Sequence, residues 1–217
     1  MDKLINIITR TSNRPKGFER NYTSIKNQKY KNFKHIVLYD DSKDFESYLK
    51  KYEDISVHFV DRNYLIQNYE GPIINDVKNF WPSEHNLYCN VGLSVVEDGY
   101  IIFLDDDDFL NNPNSLGDIV AYLDEETLSI WQMQYTNGMK LPSDHLIDNK
   151  IITLGGIGAP CVGFHSKWKN SCKWDKYKCG DFRFIQCLSE TIPNKTFHKT
   201  VLSKIPQAGF GKRVDVL

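Results

Sequence analysis

The chain has 217 residues, 27 Lys and Arg against 28 Asp and Glu for a formal net charge of −1, and 41% hydrophobic residues. That length suits one well-cored domain, and the near-neutral balance gives no overall field to recruit nucleic acid or an anionic membrane. No run of about 20 apolar residues is present to span a bilayer, and the N-terminus turns polar too early for a signal peptide, so a cytoplasmic setting is expected.

In chain order, "LINIIT" (4–9) is a short β-branched run that predicts a buried strand. A polar loop, "RTSNR", follows, and Pro15 sits where a first helical residue would. Phe18, Tyr22 and Ile25 then share one face of a helix running to about Gln28. "FKHIVLYDDS" (33–42) predicts a second strand ending in two aspartates, then a helix over "KDFESYLKKY", and "ISVHFVD" (55–61) a third strand. Residues 64–82 read as irregular, and "SEHNLYCNVGLSVVEDG" (83–99) as a helix closed by Gly99. The strand "YIIFL" runs straight into Asp105–Asp108, with a helix from near Pro113. Further on, "LSIWQMQY" (128–135) and "IITL" (151–154) predict strands, "GGIGAPCVGF" a glycine-rich turn, and Asp181–Thr191 a helix, before a mobile tail from "SKIP" onward.

This alternation predicts an α/β fold of Rossmann-like type: a mixed, mainly parallel sheet with helices on both faces. The expected organisation is a single domain, with residues 1–112 forming a nucleotide-binding half and 113–217 an acceptor-binding half. The five cysteines are odd in number and lack CxxC pairs, so reduced thiols are expected rather than a disulfide framework or a zinc site.

In open α/β sheets, ligands bind beyond the C-terminal strand ends. Three such ends are polar here: Thr9 to Arg14, Asp40 with Asp41, and Asp105 to Asp108. Alternate side chains of an extended run share a side, which groups Asp105 with Asp107 and Asp106 with Asp108. Two carboxylates on one side suit Mg²⁺ or Mn²⁺ with substrate phosphates completing the shell, and the cation would relieve the repulsion among four aspartates. The plainer alternative is a solvated acidic loop.

In this order the motifs resemble GT-A-type glycosyltransferases, particularly family-2-like members, over nearly the whole chain. The carriers are "NIITRTSNRP", "IVLYDDS", "CNVGLSVVEDGYIIFLDDDD" with its DXD-like aspartates, "GGIGAPCVGF" and "CGDFRF". The resemblance implies a metal-dependent, inverting transferase of a hexosyl type. It would move a sugar from a nucleotide-diphosphate donor, with UDP favoured, to a hydroxyl on a glycan or other acceptor. Thr9, Arg10, Thr11 and Arg14 would line the nucleotide pocket, Asp40 or Asp41 would meet the base, and Asn90 would belong to the same motif set. Asp105 or Asp106 would sit near ribose and metal, and Asp107 on the metal itself. Asp181 would be the general base. His198 would be a further metal or pyrophosphate contact, and Lys212 and Arg213 would close over the diphosphate. Gly155 and Gly156 belong to the acceptor segment the resemblance marks. Cys89 stands where relatives often carry arginine, and Gly180 where they often carry Glu.

The chemistry supports those roles independently. A leaving diphosphate gains negative charge, which a cation and basic groups must meet, while an acceptor hydroxyl must lose a proton to a carboxylate. Trp131 and Trp174 are candidates to stack on an acceptor sugar. Bland alternatives stand beside these: Asp181 as a helix cap, His198 as a surface residue, Asp40 and Asp41 as turn formers, Cys161 as packing. Two rival functions remain. A sugar nucleotidyltransferase is disfavoured because "TRTSNRP" lacks a glycine-rich loop, and a non-catalytic nucleotide-sugar-binding module because the carboxylates are complete.

Overall fold

The computed structural model describes residues 2–40, 42–76 and 80–206, with the backbone alone for 42–44. The strand β1 (Ile5–Thr11) is apolar on both faces because both are covered, as in a parallel strand inside an α/β sheet. Beside it run β2 (Phe33–Tyr39), β3 (Ile55–Phe59) and β4 (Tyr100–Phe103), all parallel, in the order β3-β2-β1-β4. Thr11 pairs with Tyr39 and Ile8 with Phe103, so these strands end along one edge.

Past β4 the sheet continues through β8 (Val162–His165), β6 (Thr127–Tyr135), β9 (Asn194–Ile205) and β5 (Phe109–Leu110). The strand β8 is antiparallel to both β4 and β6, whereas β6 and β9 are parallel, and β7 (Lys140–Leu141) pairs with β6. The result is one mixed, mostly parallel sheet.

Helices cover both faces. They are α1 (Pro15–Lys26), α2 (Ser42–Ser47), α3 (Arg62–Gln67), α4 (Tyr88–Val95), α5 (Ser115–Tyr122), α6 (Asp144–Asp148) and α7 (Gly180–Thr191). Alternation along β4 explains the layering. Ile101 and Phe103 join Leu93 of α4 with Phe184 and Leu188 of α7, while Tyr100 and Ile102 join Ile25 of α1 with Leu116 and Ile119 of α5.

The structure departs from expectation in several places. Residues 151–154 form a loop that turns back through Gly156 N–H to Thr153 O, because β6 is already paired with β7, β8 and β9 and leaves no edge for them. The stretch read as irregular contains α3, whose start is capped by the Asp61 carboxylate on Tyr64 N–H at 3.0 Å. The chain expected as a tail from Ser203 is still strand to Ile205, held parallel to β6. The cysteines are not all free: Cys172 and Cys187 form a disulfide, with Cα atoms 6.0 Å apart. The loop before α7 folds back along that helix, and this proximity leaves no mark in the sequence spacing.

Gly99, before β4, holds φ +91°, and a Cβ there would sit 2.6 Å from Leu4 O. Gly99→Ala is therefore expected to cost about 2 kcal/mol, combining backbone strain with a backbone clash. A melting point about 4–8 °C lower, read by circular dichroism, is the expected result.

Candidate active site

The four aspartates leave β4 as a tight loop, closed by Asp108 N–H on Asp105 O at 2.9 Å. Asp106 and Asp108 turn inward and are almost fully buried, while Asp105 and Asp107 keep about a fifth of their side chains exposed. This is the expected alternation. The loop backbone is gripped from α1, where the Asn21 amide donates to the carbonyls of Leu104, Asp105 and Asp108 at 3.3, 2.9 and 3.0 Å. Gly17, one turn earlier, lets α1 approach: a Cβ would lie 3.0 Å from Asp106 O.

Two arginines, Arg10 near the end of β1 and Arg14 in the loop after it, balance the charge. Arg10 forks onto Asp105, its Nε at 2.8 Å from Oδ1 and its Nη2 on Oδ2. Arg14 bridges two neighbours, donating Nε to Asp106 at 3.0 Å and Nη1 to Asp107 at 3.0 Å. Burial works against ionising Asp105, but Arg10 prevails and holds it below its ordinary value. Burial dominates at Asp106, which is pushed up to about 8 despite Arg14. Asp107 and Asp108 are raised by burial and then by their acidic neighbours.

Two cavities meet at this wall. The first, about 400 Å³, reaches from Asp105 and Asp107 past Arg14 to Asp40, Arg62 and Tyr88. At its far end the Tyr88 hydroxyl donates to Asp40 Oδ2 at 2.7 Å, and the buried Asp40 Oδ1 has no hydrogen-bond partner among the described residues. The second, about 540 Å³, runs from the same Asp105 and Asp107 to Asp181, with Gly155, Ile157 and Phe182 in its walls. Arg10 and His85 belong to both.

Asp181 lies in the first turn of α7. The preceding Cys179 has φ +60°, and a Cβ on Gly180 would fall 2.6 Å from Asn86 Nδ2, so a larger residue here would have to displace the Asn86 amide. The Asp181 carboxylate accepts from Phe182 N–H at 2.8 Å, and burial raises its pKa. Asn86 ties this start to the aspartates: its amide donates to Tyr177 O at 2.7 Å and its carbonyl accepts from Arg10 Nη1 at 3.2 Å.

Of the residues singled out from sequence, Arg10, Thr11, Arg14, Asp40, Asp105 and Asp107 line the first cavity, and Gly155, Trp174 and Asp181 the second. Asp41, Lys212 and Arg213 lie outside the described residues. Several others are placed elsewhere. Thr9 is fully buried, donating to Leu104 O at 2.7 Å, so the His35 ring beside it donates from Nε2 at 3.0 Å. Asn90 spends its amide on the backbone of Trp174, at 2.9 Å in both directions. Asp106 faces inward, away from both cavities. His198 stacks on Tyr122 at 3.6 Å between ring centroids, and Ile205, further along β9, is the residue that lines the cavity. At roughly 3.3 Å per residue, His198 is about 20 Å short of it. Gly156 packs against Leu146. Trp131 is buried, donating Nε1 to Pro160 O at 2.7 Å, and Trp174 is buried beneath Arg10. Cys161 is buried packing, its thiol pushed up to about 12.

Sequence reasoning missed Asn21, Arg62, His85 and Asn86. Asn21 sat unnoticed on the inner face of an expected helix, and the other three lay in stretches read without a site.

Among the described residues, no three His, Cys, Asp or Glu side chains converge on a ready metal cage. Asp105 and Asp107 nevertheless place two carboxylates, the hard oxygen groups that divalent cations take, on a wall with open space in front.

The family profile described as Glycosyl transferase family 2 matches residues 6–204. The chain belongs to this family and has the GT-A fold. Among solved structures it is similar to S. aureus TarS 1-349 in complex with UDP-GlcNAc, at 18% identity and TM-score 0.68, covering 95% of this chain and 59% of that one. A mannosyltransferase from Pyrobaculum calidifontis in complex with GDP-Man and Mn2+ is similar at 12% identity and TM-score 0.63, covering 96% and 58%. A nucleotidyl transferase from Methanothermobacter thermautotroptrophicus follows at 12% identity and TM-score 0.55, covering 94% and 88%. The chain spans about 60% of the length of the TarS 1-349 structures. No curated protein sequence gives a significant match. Among the described residues, no helix is long and apolar enough to cross a membrane.

Replacing Asn21 with Ala removes one donor from each of three loop carbonyls, of which Leu104 O keeps the Thr9 hydroxyl and Asp105 O keeps Asp108 N–H. The expected cost is about 1–2 kcal/mol, a melting point lower by roughly 2–8 °C by circular dichroism.

Proposed function

We propose that this chain transfers a sugar from a uridine-diphosphate sugar to an acceptor hydroxyl with inversion at the anomeric carbon. The carrying observation is the single wall of Asp105 and Asp107 shared by two cavities, one ending at Asp40 and the other at Asp181. A donor laid through the first cavity brings its sugar–phosphate bond to that wall, and an acceptor enters from the Asp181 side.

Asp40 suits a base N–H, because its buried Oδ1 has no hydrogen-bond partner among the described residues while Tyr88 fixes the other oxygen. The TarS complex with UDP-GlcNAc supports a nucleotide-sugar donor, and the mannosyltransferase complex with GDP-Man and Mn2+ supports a divalent ion. Asp105 and Asp107 are the residues to hold Mn²⁺ or Mg²⁺, which supplies positive charge to the leaving diphosphate when bound. Arg10 and Arg14 stand at the same place as fixed cations. Asp181 takes the proton of the attacking hydroxyl. One base and no covalent nucleophile gives inversion, and the buried Cys89 and Cys161 thiols, both pushed up to about 12, supply no thiolate. Residues up to 112 then serve chiefly the donor, and the later residues, with α7, chiefly the acceptor.

Calorimetry with UDP and GDP sugars, with and without Mn²⁺, tests the donor side. One uridine sugar should bind tightly with metal, and Asp107→Ala should abolish the metal dependence; binding indifferent to both would refute the assignment. Asp181→Asn should lower transfer by about 10²–10⁴-fold while UDP binding persists. Because burial raises Asp181, the base is lost as pH falls through that raised value. The acid limb of kcat/KM should therefore lie above the ordinary carboxylate pKa of about 4, and it should vanish from the residual activity of the Asn variant.

A further inference from the structure

Trp131 and Trp174 are 1% and 2% exposed, so neither offers a ring face to an incoming sugar. Trp81 does: it lines the Asp181 cavity and keeps 48% of its surface exposed. Burial of an apolar side chain of this size favours folding, so holding it half in water runs against folding alone.

The ring is held out by a clip. Trp81 O accepts from Lys178 N–H at 2.9 Å, Pro82 bridges Tyr177, and Ser83 N–H donates to Lys176 O at 2.7 Å. The far side of the clip runs through Cys179 and Gly180 directly into Asp181. Platform and base thus share one short segment, pinned again by the Asn86 amide on Tyr177 O. Lys178, which also lines the cavity, rests its ammonium 3.6 Å from the Trp81 ring centroid and has no ion-pair partner among the described residues.

We propose that Trp81 and Lys178 form the subsite that seats a pyranose ring of the acceptor. The proposal rests on the glycosyltransferase reading, because that reading brings an acceptor hydroxyl to Asp181. One face of a pyranose is lined with C–H bonds, apolar and weakly positive, and matches the negative face of an indole. The ammonium marks where positive charge settles on this ring, and its flexible stem swings aside to donate to the sugar hydroxyls. The acceptor is therefore a cyclic saccharide rather than an open-chain polyol.

Saturation-transfer NMR with chitotriose and maltotriose, and sorbitol as the open-chain control, tests this. Wild type should transfer saturation onto the C–H face of one ring of a trisaccharide and not onto sorbitol. Trp81→Ala should weaken binding about tenfold or more, Trp81→Phe should restore most of it, and Lys178→Ala should weaken it less. The proposal is overturned if neither trisaccharide responds, if sorbitol responds equally, or if Trp81→Ala binds as wild type does. UDP calorimetry on the same samples separates the two failures. A wild type that binds UDP without the saccharide response loses only the platform, and one that binds no nucleotide loses the transferase reading as well.

Discussion

Four carboxylates at the end of one buried strand are tolerable only because two guanidinium groups meet them. Arg10 comes from the end of β1 and Arg14 from the loop after it, and the sheet places β1 directly beside β4. Strand adjacency is thus an electrostatic requirement as much as a topological one. Two cations for four acids leave a deficit, and burial covers the rest by raising Asp106, Asp107 and Asp108 toward their neutral forms. The loop acts as a store of negative potential turned outward only at Asp105 and Asp107.

From that store a chain of contacts runs to the other side of the site. Asp105 holds Arg10, Arg10 reaches Asn86, and Asn86 holds the backbone at Tyr177, just before Asp181. Beneath it lies an aromatic floor in which Trp174 stacks on Phe184 with ring centroids 4.9 Å apart. Asn90 fixes the backbone of that same tryptophan. Asp181 is thus positioned by groups that also position Asp105, so the two sides of the cleft are fixed relative to each other by the protein alone.

Much of this was legible in the sequence. The parallel strands declared themselves as β-branched runs, and their polar ends pointed to one edge because the fold class brings such ends together. The pairing of Asp105 with Asp107 was expected from an extended chain; the structure reaches it through a tight turn instead. What stayed hidden depended on distant packing. Thr9 sits inside β1, which runs two residues beyond the expected strand end, to Thr11. Asn90 and Trp174 lie 84 positions apart and meet only through the fold. The disulfide and the burial of Trp131 arise from how the region after β4 folds back, where short strands and turns carry little periodic signal. His198 failed because a long strand carried it past the end of α5 rather than toward the cleft.

The shared wall between the two cavities has an evolutionary consequence. Under the proposed assignment of donor and acceptor to the two cavities, the residues that line both, Arg10, His85, Asp105 and Asp107, cannot drift to suit one substrate without disturbing the other. Diversification is confined to the outer ends, around Asp40, Arg62 and Tyr88 on one side and around Phe182 and the 155–158 turn on the other. A descendant could therefore change its donor while keeping its acceptor, or the reverse, through substitutions more than one residue shell away from the reacting bond.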